Sequence, residues 1–268
     1  VGAYHYDEVH LLPAPVFRAT ADIQATRRLG LTATLIREDG REDDVFSLVG
    51  PKKYEMAWKE LESQGWIATV ACQEIRVELS ALDRDRYGAS GARQQFRIAG
   101  ENRTKLDVID YLLKLHANEQ VLIIGQYIEQ LTLIAAHTGA PMISGGTPCE
   151  AREELYEQFK RGDISLLVVS KVANFAVDLP DATVAIQVSG SYGSRQEEAQ
   201  RLGRILRPKR GANEAVFYSL ITENTKEQDF AMKRQLFLVE QGYQYRIASW
   251  SQSSNWPKGE WDEVRANR

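Results

Sequence analysis

The chain has 268 residues, 43% of them hydrophobic and 26% charged, a balance that suits one or two compact globular units and excludes wholesale disorder or low complexity. Its two cysteines, Cys72 and Cys149, stand far apart with no His or Cys at ligand spacing, which excludes a disulfide framework and a zinc site and suits a reducing interior. No apolar run approaches the ~18 residues of a membrane-spanning helix, and the net charge of −4 argues against holding nucleic acid by bulk charge. The window 160–210 is locally basic, with nine basic against five acidic residues, as either a solvated face or a functional surface.

In chain order, Val1–Tyr6 shows no initiator Met and no signal-peptide pattern and reads as starting inside a strand, as in a fragment or a sequence numbered from partway through a larger protein. A strand is expected to end near Asp7, followed by a helix near Pro15–Thr26 and a strand around Arg28–Leu31, after which the chain continues through Trp58–Leu61 to an extended stretch over Ile67–Leu79. Ala81–Gly100 is polar and glycine-containing and is expected to be a linker or a small insertion. Lys105–His116 has a helical apolar face at 106, 109, 112 and 113. Gln120–Gly125, Leu166–Ser170, Thr183–Val188 and Ala215–Ile221 are short apolar runs, the length of strands buried on both faces of a parallel sheet. Thr147-Pro148-Cys149-Glu150 combines an N-cap Thr, a Pro at the first helical position and a following Glu, and Gly162 ends that helix. Ser194-Arg195-Gln196-Glu197 is a second capping box, opening a helix to about Leu206. Such alternation implies an α/β protein with a parallel sheet and right-handed crossovers.

Three motifs bear chemistry. Asp7-Glu8-Val9-His10 follows the opening strand, and the carboxyl end of a parallel strand is where such sheets bind ligands. An Asp there can hold Mg²⁺ through water and the next Glu can deprotonate an attacking water; solvated acids at a turn are the competing reading of the pair alone. Gly30-Leu31-Thr32-Ala33-Thr34 places hydroxyls after the next strand, within reach of the carboxylates if the two strands are neighbours. In Gln200-Arg201-Leu202-Gly203-Arg204-Ile205-Leu206-Arg207, helical spacing projects guanidinium groups from adjacent turns. Exposed pairing of Glu197 with Arg201 leaves Arg204 and Arg207 unused, whereas arginine fingers aimed at triphosphate oxygens use them.

These residues resemble the C-terminal half of the xeroderma pigmentosum group B (XPB) family of superfamily 2 helicases, and most of all its prokaryotic members. The match rests on Asp7–His10, Gly30–Thr34, Arg37-Glu38-Asp39, Ser170-Lys171-Val172 through Asp178-Leu179-Pro180, Gly193–Pro208 and Arg234–Tyr245, in that order, and covers residues 1 to about 248. The resemblance implies an α/β chain: the back part of one RecA-like lobe in residues 1–80, a linker or reduced thumb in 81–104, a second RecA-like lobe in 105–248 and a tail in 249–268. It implies ATP and Mg²⁺ as cofactors, with Asp7 coordinating the metal through water and Glu8 activating the hydrolytic water. His10, Thr32 and Thr34 would couple the nucleotide to DNA movement. Arg204 and Arg207 would be the fingers, with Gln200, Arg201 and Gly203 supporting them and Asp178 near the sugar or the interlobe contact. Lys171, Ser170 and Thr147 would contact phosphates of the tracked strand, and Arg37, Glu38 and Asp39 would help DNA opening, a charged surface loop being their other reading.

No G-x-x-x-x-G-K-[ST] loop occurs in the sequence, and Gly50-Pro51-Lys52-Lys53 lacks the glycine-rich turn whose N–H groups cradle phosphates. In the family that loop lies upstream of the acidic box, so the expected partners are an N-terminal helicase half and DNA, as a single strand or fork. A nuclease or a repair or transcription factor is a further candidate partner, and no membrane is expected. The isolated chain is expected to lack ATPase activity, and the expected location is the nucleoid of a prokaryotic cytoplasm, or the nucleus in a eukaryote. A non-catalytic DNA- or protein-binding scaffold that kept the fold, and an RNA-directed enzyme of the same superfamily, are the alternatives. The tail from Ser251 reads as a partner-docking segment or a flexible end.

Overall fold

A computed structural model describes residues 2–32, 42–170, 182–190, 214–240, 242–250 and 262–264. The chain divides into two units, with the boundary between Ala57 and Trp58. In the first, strands β1 (Ala3–Tyr6) and β2 (Arg27–Gly30) pair in parallel, Ala3 opposite Arg27 and Tyr6 opposite Gly30. The segment expected as one helix is a single turn, α1 (Pro15–Arg18), continued by a 3₁₀ turn over Ala19–Asp22. Helix α2 (Glu42–Val49) completes a small core of Tyr6, Val9, Leu12, Ala21 and Val45. The Arg28 guanidinium fastens it, donating to the carbonyls of Ala21 (2.6 Å), Ile23 (3.1 Å) and Leu48 (3.2 Å). Gly30 sits tightly here, because a Cβ there would lie 2.7 Å from Cγ2 of buried Val9, which would have to shift.

The second unit is built from α3 (Trp58–Ser63), β3 (Thr69–Val77), α4 (Ala81–Gly88), α5 (Ala92–Gly100), α6 (Thr104–Leu115), β4 (Val121–Gly125), α7 (Ile128–Thr138), β5 (Met142–Ile143), α8 (Cys149–Arg161), β6 (Leu166–Ser170), β7 (Val184–Gln187), β8 (Glu214–Thr222), α9 (Lys226–Glu240), β9 (Tyr245–Ser249) and β10 (Asp262–Val264). Its sheet runs β10-β9-β3-β8-β7-β4-β6-β5, parallel throughout except for the antiparallel edge strand β10. The four apolar runs seen in the sequence are β4, β6, β7 and β8. Alternate residues feed two cores: Val121 and Ile123 pack with Val108, Ile109 and Leu112 of α6 and Leu131 of α7, while Leu122 and Ile124 pack with Tyr156 and Phe159 of α8. Each such fully buried side chain contributes about 1.5–3 kcal/mol. Gly162, at φ 79°, ends α8 as its spacing predicts.

Three domain boundaries differ from expectation. Residues 58–80 belong to the second unit, because β3 pairs along all of its length with β8, Thr69 opposite Glu214 through Val77 opposite Thr222, and also with β9. Residues 81–100 are no linker but the helices α4 and α5. The Ser80 hydroxyl caps α4 by accepting from the Asp83 amide (3.1 Å), the Tyr87 hydroxyl accepts from the first amide of α9 (2.9 Å), and Phe96 of α5 packs on Phe230 of α9 with ring centroids 5.1 Å apart. The tail is likewise tied in: the Trp250 amide donates to the Arg76 carbonyl (2.7 Å), its ring meets Tyr111 at 5.7 Å, and Asp262–Val264 forms β10 on β9. No described helix is long and apolar enough to cross a membrane.

Burial, with smaller help from Glu119 and Glu62 respectively, pushes the phenols of Tyr218 and Tyr243 above the ordinary tyrosine value of 10.0. Below that value both the folded and the unfolded chain keep these protons. Above it the unfolded chain releases them while the folded chain does not, so stability falls as pH rises past about 10. The urea midpoint is expected to drop across that range, and to drop less steeply in the Tyr218→Phe/Tyr243→Phe variant. Equal slopes would remove the two phenols as the cause. In the first unit, Gly30→Ala is expected to lose about 1–3 kcal/mol of local stability through overpacking against Val9, seen as faster hydrogen exchange at the Val9 and Leu31 amides. Parental exchange rates would mean that Val9 yields without loss.

Candidate functional site

At the exit of β1 the backbone is gripped from both sides of a two-residue loop. The Leu31 amide donates to the Tyr6 carbonyl (2.8 Å), and the Val9 amide donates to the Leu31 carbonyl (3.0 Å). Asp7 and Glu8, between those two bonds, are pushed out at the carboxyl end of the strand. The Glu8 amide donates to Asp7 Oδ1 at 2.9 Å, and Glu8 adopts φ 50°, ψ 46°, the left-handed region. Among the described residues Asn224 is the other non-glycine with positive φ. Asn tolerates that conformation, whereas a longer side chain there costs about 1–2 kcal/mol. Glu8 is thus a strained, half-buried residue beside an exposed Asp7, the kind of backbone outlier that singles out a candidate site. The exposed Asp7 carboxylate is a hard oxygen donor of the kind Mg²⁺ takes, and a neighbouring carboxylate can accept a proton from water.

Thr32 directly follows Leu31, the residue whose amide and carbonyl hold the acidic loop, so β1 and β2 are indeed neighbours and the two motifs share one edge. His10 lies in the 3₁₀ turn Val9–Leu11. No group of three or more His, Cys, Asp or Glu able to hold a metal occurs among the described residues.

In the second unit β4, β6 and β7 end on one edge, Gly125 opposite Ser170 and Ile124 opposite Gln187. The chain order reverses at β4: β5 and β6 are added on one side, β7 and β8 on the other. Such a switch point opens a crevice at the strands' carboxyl ends. Gly125 must be glycine, since a Cβ would come within 2.8 Å of Leu131 and 2.9 Å of Val188. The Ser189 hydroxyl accepts from the Gln126 amide at 2.8 Å, bridging the exits of β4 and β7. Ser170 is 1% exposed, so its hydroxyl is not presented to a phosphate in this structure, and its Oγ has no hydrogen-bond partner among the described residues. Thr147 precedes α8 as expected but does not cap it. Its hydroxyl accepts from the Ser144 amide (2.9 Å), its amide donates to the Ser144 carbonyl (3.1 Å), and the helix begins one residue later than predicted, after Pro148. Thr34, Arg37, Glu38, Asp39, Lys171, Asp178, Gln200, Arg201, Gly203, Arg204 and Arg207 lie outside the described residues.

The same edge holds a polar cluster that no sequence motif marks. Lys105 of α6 is 1% exposed, and its Nζ donates to the Val188 carbonyl (2.8 Å) and to both carboxylate oxygens of Glu227 (3.1 and 2.9 Å). Glu227 Oε2 also accepts from the Thr222 amide (2.9 Å), and the Gln130 side chain donates to the carbonyls of Gly100 (2.6 Å) and Val188 (3.3 Å). Burial pulls the Lys105 ammonium below its ordinary pKa; Glu227 opposes that shift and Arg234 adds to it. The available signal was positional: 105 precedes 108, 109 and 112 at helical spacing, placing a lysine on the stripe that faces the core.

The family described as ERCC3/RAD25/XPB C-terminal helicase matches residues 61–263. The DNA 3'-5' helicase XPB of Kineococcus radiotolerans is 56% identical over 246 residues, covering 92% of this chain and 44% of that protein. The protein of the same name from Mycobacterium tuberculosis is 55% identical, covering 92% and 45%. The XPB/SSL2 helicase/translocase subunit of general transcription and DNA repair factor IIH from Saccharomyces cerevisiae is 41% identical over 248 residues, covering 90% and 29%. The chain thus spans less than half the length of these relatives. Among solved structures, an ATP-dependent Type ISP restriction-modification enzyme, LlaBIII, bound to DNA aligns with a TM-score of 0.65 at 13% identity, covering 90% of this chain and 20% of that one. S. cerevisiae Dbp5 bound to RNA and ADP BeF3 aligns at 0.63 and 12% identity, covering 93% and 60%. These two likenesses are of fold, and the fold is the RecA-like α/β fold of helicases. With its parallel sheets, its strained Asp-Glu turn and a match of this extent, the chain belongs to the XPB helicase family.

Proposed function

We propose that the chain is the C-terminal part of an ATP-dependent DNA helicase or translocase with 3′→5′ polarity. The observation that carries this reading is the acidic turn at the exit of β1, where Glu8 is held at φ 50° beside exposed Asp7. Bound Mg²⁺–ATP would supply the γ-phosphoryl group and its charge neutralisation. Within this chain, Asp7 would hold the cation through water, and Glu8 would orient the attacking water and accept its proton. Arg204 and Arg207 would stabilise the charge that develops on the phosphoryl oxygens, with Gln200, Arg201 and Gly203 supporting them and Asp178 close to the nucleotide sugar. His10, Thr32 and Thr34 would pass the state of the nucleotide to the DNA-contacting groups. Thr147 and Lys171 would contact phosphates of the tracked strand, whereas Ser170 is buried in this structure, and Arg37, Glu38 and Asp39 would serve strand opening.

Further sequence of the same protein is the natural partner of the first unit. Its sheet has two described strands, too few for independent stability, and Phe17, Leu29 and Leu31 are 47–53% exposed. The relatives' greater length and the missing phosphate-cradling loop support the same view: the 268-residue chain alone does not turn over ATP.

The test compares ATP hydrolysis by this chain with that of the full-length protein containing it, each with DNA and with RNA. The full-length protein is expected to hydrolyse ATP faster with DNA, and the chain alone to stay at background. Faster turnover with RNA moves the reading to the RNA-directed alternative, and no turnover by the full-length protein favours the scaffold. In the full-length protein Glu8→Gln is expected to lower kcat by about 10² or more while leaving nucleotide affinity within about threefold. Undiminished turnover by that variant would take the base role away from Glu8.

A further inference from the structure

We infer that Lys105 and Glu227 are positioning residues: a buried clamp on the exit of β7 that fixes Val188–Gly190, the last described residues before the part of the sequence that carries Gln200, Arg201, Arg204 and Arg207. The inference rests on the proposed motor reading for its functional consequence, and on geometry for the clamp itself.

The β7 ladder ends at Gln187, which still faces Ile124 and Ser219. One residue on, the Val188 amide donates to the Ile124 carbonyl (2.9 Å), but the Val188 carbonyl is taken by side chains, Lys105 Nζ at 2.8 Å and Gln130 Nε2 at 3.3 Å. The next residue, Ser189, is held by the Gln126 amide, and at Gly190 a Cβ would lie 3.0 Å from the Arg234 guanidinium and 2.9 Å from Gln187 Nε2. Val188 is therefore held by side chains of α6 and α7 and Ser189 by the backbone at the β4 exit, with the Arg234 side chain of α9 close against Gly190, immediately before the segment that carries Gln200, Arg201, Arg204 and Arg207. Glu227 links the clamp to the exit of β8 through the Thr222 amide.

A buried ion pair is a poor device for stability alone. Well-packed apolar residues of similar volume are usually as good or better, because desolvating two charges offsets their attraction. An ammonium with three acceptors in fixed directions does what an apolar side chain cannot: it holds one carbonyl at one place. Lys105 and Glu227 are 122 residues apart in sequence, so the clamp joins α6 to α9 and places the β7 exit relative to both.

The experiment uses the full-length protein and the variant Lys105→Met/Glu227→Gln, which removes both charges together and keeps an acceptor for the Thr222 amide; Lys105→Met alone strands a buried carboxylate and serves as the control for misfolding. Three quantities are read: the melting midpoint, hydrogen exchange at the Val188 and Gln126 amides, which are hydrogen-bonded at this exit, and kcat against KM for ATP with DNA present. The double variant is expected to melt cooperatively within a few degrees of the parent and to exchange those amides about tenfold faster. Its kcat is expected to fall about tenfold, with KM within about threefold. A folded double variant with parental exchange overturns the clamp, and one with fast exchange but parental kcat overturns its role in positioning the arginines. A double variant that fails to fold makes the pair an element of overall stability and overturns the inference too. A parent protein without ATPase activity sinks the motor reading instead, and the exchange measurement still decides the clamp.

Discussion

A parallel strand that ends inside a protein leaves an amide or a carbonyl that no neighbouring strand can take, and an unpaired buried backbone group costs about 1–3 kcal/mol. The answer given at each strand exit shapes both edges of this protein. At β1, Leu31 supplies both missing partners, and the two residues that fit between its bonds are Asp7 and Glu8. At β7 the partners are side chains, Lys105 and Gln130, and at the end of β8 the Thr222 amide is met by Glu227. The edge of each unit that carries its candidate site is thus shaped by the way its strands terminate.

The two solutions carry different energetic risks. The β1 exit stores strain in one residue, since Glu8 is kept in a backbone region that disfavours it. The β7 exit stores a desolvated charge, since Lys105 is buried beside Glu227 with Arg234 near enough to act on it. Neither is self-supporting. The second unit offsets its buried charge with a sheet covered by apolar side chains on both faces. The first unit has a small core, a three-carbonyl Arg28 staple and a close Gly30–Val9 contact, with exposed apolar side chains left over. The strained turn therefore depends on the less well covered unit.

Much of the fold was legible because burial imposes period and length. Four apolar runs became four parallel strands, and Gly162 ended its helix because only a residue tolerant of positive φ fits there. What failed was assignment between units. Thr69–Val77 reads as extended from its alternation, but nothing local says which sheet accepts it; its partners Glu214–Thr222 lie about 145 residues away along the chain. Ala81–Gly100 reads as a linker or small insertion because its polar composition outweighs a helix-start signal also present, Ser80 followed three residues later by Asp83, which the structure uses as a cap.

The site divides along the same line. Asp7 and Glu8 were legible because adjacent acids after a strand are chemically conspicuous, and their nearness to Thr32 followed from pairing the two strands in register. The left-handed backbone at Glu8 was not legible, since it comes from bonds made by Leu31, more than twenty residues on. Lys105 shows the opposite case. Its chemistry is unremarked in a helix rich in charges, yet its position is wrong for an exposed lysine, on the stripe shared with Val108, Ile109 and Leu112. A cation on a core-facing stripe demands buried acceptors, and in a parallel α/β unit the acceptors within a helix's reach are those at the strand exits. Read as a departure from its own periodicity, the position of Lys105 points to the edge where this fold places ligands.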